Sequence, residues 1–428
     1  MRSNSYLVKY FFIFPLFFIL VAEIIFYGCS SSDSPYQNSE GPSIAAGSVF
    51  ESPLEFDSGE NPLSISSGDF NGDNQTDFIV ASSRKQDGIS TTVDGTLTLL
   101  QYTSSSSSRF PFVSNTITPT TEEWRQDIVS IDFSGDNITD LVVTQTDEDK
   151  IKFLINDGSA NFSDNGSIEV GDVPLNIISG DWNNDNQTDL AVVNRDNSSV
   201  SILQNSSGVF SVSQTLSVDE RPIRIASGDW DEDSDSDLAV LLRDNSQIQI
   251  WMNSGTGSFS KKDISYAVGS SPIDMISGDW DCDDNLDLAV SNTGDDTISL
   301  IYGDGDGTFT LPVAIKSGRG PGSIAAADFN NDNKMDFVVG HRFLVSTPGV
   351  SLLTGDFSLT LSDTSSSTGY SSSVSFAATS EEGGAPPAEI VIIDADNDSK
   401  LDLLITLPLT QKLSVLFGNQ YTGSLSCP

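Results

Sequence analysis

From residue 49 onward the chain alternates short apolar runs with polar, turn-rich segments roughly every eight to twelve residues, the rhythm of short β-strands. Residues 174–218 show it most regularly. The pattern there predicts four strands: A over Pro174 to Gly180, B over Leu190 to Asn194, C over Val200 to Leu203 and D over Phe210 to Val218. Runs such as Leu190-Ala191-Val192-Val193 and Phe337-Val338-Val339 have the strand-prone composition of buried sheet interiors.

Between predicted strands A and B sits an aspartate-rich loop that occurs seven times, beginning at Asp69, Asp132, Asp181, Asp229, Asp279, Asp328 and Asp394. Each copy reads D-x-[DNS]-x-D-x-x-x-D. Positions one, three, five and nine are Asp69, Asn71, Asp73 and Asp77; Asp132, Ser134, Asp136 and Asp140; Asp181, Asn183, Asp185 and Asp189; Asp229, Asp231, Asp233 and Asp237; Asp279, Asp281, Asp283 and Asp287; Asp328, Asn330, Asp332 and Asp336; and Asp394, Asp396, Asp398 and Asp402. Alternate side-chain oxygens turned toward one centre, with a ninth-position aspartate to close the cage, match the six to eight hard oxygens that calcium takes. Helix-flanked calcium loops open similarly but need a glutamate at position twelve and helices on both sides, and neither is present. A single loop of this kind is equally a polar turn between strands. Seven with the same three aspartates predict up to seven structural calcium ions, the second loop being weakest because Ser134 stands at position three.

Loop starts are 63, 49, 48, 50, 49 and 66 residues apart, and a unit near 50 suits one four-stranded propeller blade. An open solenoid is the alternative and would need capping units. The phenylalanine opening strand D serves as a ruler: Phe162, Phe210 and Phe309 each precede the next loop by 19 residues. Phe50 also precedes Asp69 by 19, so residues 49–54 read as a strand D without its own blade, while the seventh unit runs out of chain before its strand D. The expected fold is an all-β, seven-bladed propeller of four-stranded antiparallel blades, its ring closed by the N-terminal strand. The stretch from Phe50 to the C-terminus resembles the FG-GAP/VCBS repeat family, the propeller type also found in integrin α chains. The resemblance implies calcium in the loops between the first two strands of each blade. It further implies a role in adhesion and in protein or glycan recognition.

The first 28 residues differ from the rest. Arg2 and Lys9 precede an apolar run from Tyr10 to Tyr27, then Gly28-Cys29 and a Ser-rich stretch, which reads as an export signal. Gly28-Cys29 resembles the cleavage site of bacterial lipoproteins, implying lipidation of Cys29; an uncleaved membrane anchor is the alternative. Residues 1–28 are thus the signal or anchor, 29–48 a tether, and 49–428 the propeller, placed outside the cytoplasm on the cell envelope.

Charge narrows the partners. With 61 acidic against 20 basic residues and a formal charge of −41, the chain would repel nucleic acid; seven divalent ions would bring it to −27. One histidine and no nucleophile or phosphate-loop motif disfavour an enzyme. Three cysteines make no disulfide framework, and Cys282 and Cys427 are expected as free thiols. Trp182, Trp230 and Trp280, each following a first loop aspartate, are expected between blades. Extra residues fall near 82–95, between strands B and C, and between Phe357 and Asp394, between strands D and A. Both insertions would lie opposite the calcium loops, with Arg84, Lys85, His341, Arg342 and Tyr370 offering a recognition surface. The leading expectation is a monomeric binding or adhesion module for a protein or glycan. A carbohydrate-active enzyme and a purely structural envelope protein are the alternatives.

Overall fold

The computed structural model describes residues 51, 54–83, 95–102, 112–117, 125–317, 320–328, 335–341, 359–362, 373–376, 388–396, 398–408 and 410–418. Apart from β1 (Leu54–Asp57), the first strands form a sheet of β2 (Pro62–Gly68), β3 (Asp77–Ser82), β4 (Thr96–Tyr102) and β5 (Phe112–Ile117). The second has β6 (Arg125–Ile131), β7 (Asp140–Gln145), β8 (Lys150–Asn156) and β9 (Phe162–Glu169); the third β10 (Pro174–Gly180), β11 (Asp189–Asn194), β12 (Ser199–Ser206) and β13 (Val209–Ser217). The fourth has β14 (Pro222–Gly228), β15 (Asp237–Leu242), β16 (Gln247–Asn253) and β17 (Phe259–Ala267); the fifth β18 (Pro272–Gly278), β19 (Asp287–Asn292), β20 (Thr297–Ile301) and β21 (Val313–Lys316). The sixth has β22 (Pro321–Ala327), β23 (Asp336–His341), β24 (Leu359–Ser362) and β25 (Ser373–Phe376). All pairings are antiparallel between sequence neighbours, the meander of a propeller blade.

A further sheet joins the two ends of the chain. Its order is β1-β28-β27-β26, with β26 (Ile390–Ile393), β27 (Asp402–Leu407) and β28 (Lys412–Leu416), and Leu54 lies opposite Val415. The expectation of seven blades is corrected to six, each continuous in sequence; β26–β28 have no following strand of their own among the described residues. The N-terminal strand also lies later than expected, at Leu54–Asp57, with Glu51 N–H donating to Phe417 O at 2.8 Å. In the sixth sheet β24 follows the position of Phe357, so that phenylalanine precedes strand C and cannot mark strand D. The extra residues there divide among the connections β23–β24, β24–β25 and β25–β26 instead of forming one D–A insertion.

Burial explains the strand order. The second strand of each blade is shielded on both faces and is apolar almost throughout, as in Leu190-Ala191-Val192-Val193, each fully buried. Apolar clusters span neighbouring sheets: Ile178, Trp182 and Val193 pack with Leu238, Val240 and Phe259, and Trp230 and Leu241 pack with Leu288 and Phe309. The loop aromatics sit in these seams as expected, with Trp182, Trp230 and Trp280 no more than 5% exposed. Each meets an aromatic ring of the next sheet, Trp182 against Phe259 with centroids 6.1 Å apart and Trp230 against Phe309 at 6.0 Å.

Candidate metal centres in the aspartate loops

Each loop leaves the first strand of its sheet and enters the second, and its backbone alternates in hand. The fourth and sixth positions have positive φ in loop after loop: Gly72 and Asn74, Gly135 and Asn137, Asn184 and Asn186, Glu232 and Ser234, Cys282 and Asp284. Glycine and asparagine suit that conformation best, which is why they recur there. The alternation turns positions one, three and five to the same side while the chain reverses.

The first aspartate organises the turn. Asp69 Oδ1 accepts the N–H groups of Gly72 (2.7 Å) and Asp73 (3.1 Å), and its Oδ2 accepts that of Asn74 (2.8 Å). Asp132, Asp181, Asp229, Asp279 and Asp394 accept the N–H groups of their fifth and sixth residues in the same way. The third- and fifth-position groups Asn71, Asn183, Asp73 and Asp185 each accept the N–H two residues on, whereas Ser134 donates its hydroxyl to Asp132 at 3.3 Å.

The ninth aspartate begins the second strand and is buried. Asp287 Oδ1 accepts Gly303 N–H at 2.8 Å and its Oδ2 accepts Trp280 N–H at 2.7 Å. The same link recurs to the end of the third strand from Asp77 to Tyr102, Asp140 to Asn156, Asp189 to Asn205 and Asp237 to Asn253, and just past it from Asp402 to Gly418, as for Gly303. Burial, reinforced by neighbouring loop carboxylates, pushes these acids up, Asp140 and Asp189 to about 6, Asp77, Asp237 and Asp402 to about 7, and Asp287 to about 8. Asp281 is pushed to about 6, by burial and then by Asp283 and Asp279.

In three loops the carboxylates converge: one oxygen from each of Asp229, Asp231 and Asp237, of Asp279, Asp281 and Asp287, and of Asp394, Asp396 and Asp402 lies within 4.8 Å of the others. Oxygens bound to one calcium at about 2.4 Å stand no further apart than that, so the donor set fits calcium in number, hardness and spacing. In the sixth loop Asp328 and Asp336 are buried, while Asn330 and Asp332 lie outside the described residues.

The other predicted site residues fare differently. Arg84, Lys85, Arg342, Tyr370 and the lipidation candidate Cys29 lie outside the described residues. His341 ends β23 fully buried, opposite Pro321, so it is withdrawn from the recognition surface. Cys282 is disulfide-bonded, which corrects the expectation of a free thiol; the other cysteines of the sequence, Cys29 and Cys427, lie outside the described residues. Cysteine spacing carries no signal for a bridge between such distant positions.

Sequence comparison agrees with the architecture. Residues 132–192, 181–240, 229–290 and 279–339 each match the family described as FG-GAP-like repeat. The chain carries FG-GAP-like repeats on a β-propeller. No curated protein matches this FG-GAP-repeat chain in sequence. Among solved structures, BBS1N in complex with ARL6DN superposes with a TM-score of 0.58 at 11% identity, covering 89% of this chain and 99% of that one. The Dos1 propeller gives 0.51 at 10%, covering 85% and 94%, and a Lactobacillus plantarum protein gives 0.50 at 13%, covering 74% and 86%. At these identities the likeness concerns the fold alone.

Proposed function

We propose that this FG-GAP-repeat propeller is an exported, envelope-tethered binding module whose scaffold is held by calcium in the aspartate loops. The convergence of three carboxylates in each of three loops carries the reading. Buried ninth-position aspartates, which resist ionisation without a counter-charge, support it further. A divalent ion supplies that charge, and Asp287 or Asp237 then ties it to the third strand of the blade.

The sheet of β26–β28 and β1 is read as closing the ring. Ile65 and Val80 of the first sheet share a cluster with Leu404, Leu413 and Val415 of the joined one, and Ile65 N–H donates to Glu389 at 2.6 Å. A disulfide at Cys282 agrees with an oxidising compartment, and so with export through residues 1–28; tethering at Cys29 requires the bridge to run to Cys427. The ligand is taken to be a protein or glycan, met on long loops opposite the metal face. Arrayed glycans and extracellular proteins offered to the immobilised chain test the reading: saturable binding supports it, and cleavage of a glycan would replace it with an enzyme.

A further inference from the structure

Three of the aspartate loops share one ligand set and differ in what stands at position seven. Loops four, five and seven each have aspartate at positions one, three, five and nine, and in each the carboxylates of positions one, three and nine converge to within 4.8 Å. Position seven is Asp235 in loop four, Asn285 in loop five and Lys400 in loop seven. Six acidic residues and no basic one lie within 229–237, and five acidic and no basic within 279–287. Residues 394–402 hold four acidic residues and Lys400, so the three loops carry charges of −6, −5 and −3. Affinity in oxygen-lined calcium loops is tuned by ligand charge, and these loops are therefore unequal sites.

The difference acts at the fifth-position carboxylate. One of its oxygens accepts the seventh N–H in all three loops, from Asp235 and Asn285 at 2.9 Å and from Lys400 at 3.0 Å. The other oxygen is within reach of the seventh side chain. In loop five Asn285 Nδ2 donates to Asp283 Oδ2 at 2.9 Å, and in loop three Gln187 Nε2 donates to Asp185 Oδ2 at 3.2 Å, so both partners are neutral. Asp235 has no side-chain N–H to offer and instead accepts Asn184 Nδ2 of the third loop at 2.7 Å. Lys400 brings an ammonium to the same place, its Nζ 2.5 Å from Asp398 Oδ2. The two side chains are 27% and 34% exposed, so the pair is screened and the ammonium can turn out to solvent when the carboxylate turns to a metal.

We propose that Lys400 is a tethered cation that takes the place of part of the calcium charge in the seventh loop and makes it the weakest calcium site of these three. The proposal rests on the calcium reading of the loops. Calcium in loop seven must displace an ammonium from Asp398 and then sit beside a positive charge, and the sequences of loops four and five impose neither condition.

Hydrogen exchange of the full chain across a calcium titration reads the loops separately. The amides of Asp398 and Ser399, held by Asp394 at 3.0 and 2.9 Å, report on loop seven. Those of Asp233 and Ser234, held by Asp229, and of Asp283 and Asp284, held by Asp279, report on loops four and five. In the wild type, loop seven should gain protection at higher calcium than the other two. K400Q keeps a donor for Asp398, as Gln187 does for Asp185, but removes the charge. Its loop-seven midpoint should fall by about fivefold or more while loops four and five stay unchanged. K400R keeps the charge and should leave the midpoint near wild type. An unmoved midpoint in K400Q, a shift in K400R as large as in K400Q, or a wild-type loop seven that fills before loops four and five would overturn the proposal and leave the calcium reading intact. A chain in which no loop gains protection from calcium would remove the calcium reading, and this proposal with it.

Discussion

Replacing Asp287 by asparagine should stabilise the chain without calcium, and calcium should remove most of that advantage. The side chain is buried, and both oxygens accept backbone N–H groups, from Gly303 at 2.8 Å and Trp280 at 2.7 Å. Without metal, burial raises its pKa from 3.8 to about 8, so holding it ionised at pH 9 costs roughly 6 kcal/mol. Asparagine removes that charge but sets an amide N–H against a backbone N–H, forfeiting about 2 kcal/mol. The metal-free variant should therefore be the more stable chain by about 4 kcal/mol at pH 9. With calcium near a hundredfold its dissociation constant, the wild type gains about 3 kcal/mol at that site. The variant loses most of this gain. Urea unfolding at pH 9 in EDTA and in calcium, followed by fluorescence of the adjacent Trp280, measures both. Equal destabilisation under the two conditions would refute a metal role for this aspartate.

Two further outcomes follow from the same geometry. Folded, metal-free protein binds more protons than the unfolded chain between pH 3.8 and about 8, because Asp77, Asp237, Asp287 and Asp402 are raised from 3.8 to about 7 or 8. Its stability should fall as pH rises through that window, and thermal scans in EDTA at pH 5.5 and 8.5 check the sign. If Cys29 is lipidated its sulfur is occupied, so non-reducing peptide mapping should give a Cys282–Cys427 cross-link; a Cys29–Cys282 peptide would exclude the lipid tether.

Much of this was legible because spacing survives folding. The loop aspartates, the aromatic that follows the first of them and the phenylalanine of strand D keep their intervals, since one blade must meet the next in the same way each time. Phe210 packs against the loop aromatic Phe133 of the preceding sheet, with centroids 6.2 Å apart, as Phe259 does against Trp182. The ruler failed where insertions moved it, as at Phe357. It also misplaced β1, whose position is set by pairing with β28 and not by local pattern. Burial of His341 and the bridge at Cys282 depend on neighbours remote in sequence. The links between sheets made by Ser64 to Asp127 and by Asn176 to Ile225 were not legible, because first strands such as Pro62–Gly68 and Arg125–Ile131 carry several polar residues and the sequence does not single out the linking one.

Calcium bound to the purified chain from residue 35 onward, counted by elemental analysis and set beside thermal unfolding with and without EDTA, tests the central claim most directly. The account predicts several bound ions, up to about seven, and a marked rise in melting temperature with calcium. A chain that binds no calcium and unfolds identically in EDTA would reduce the loops to polar turns.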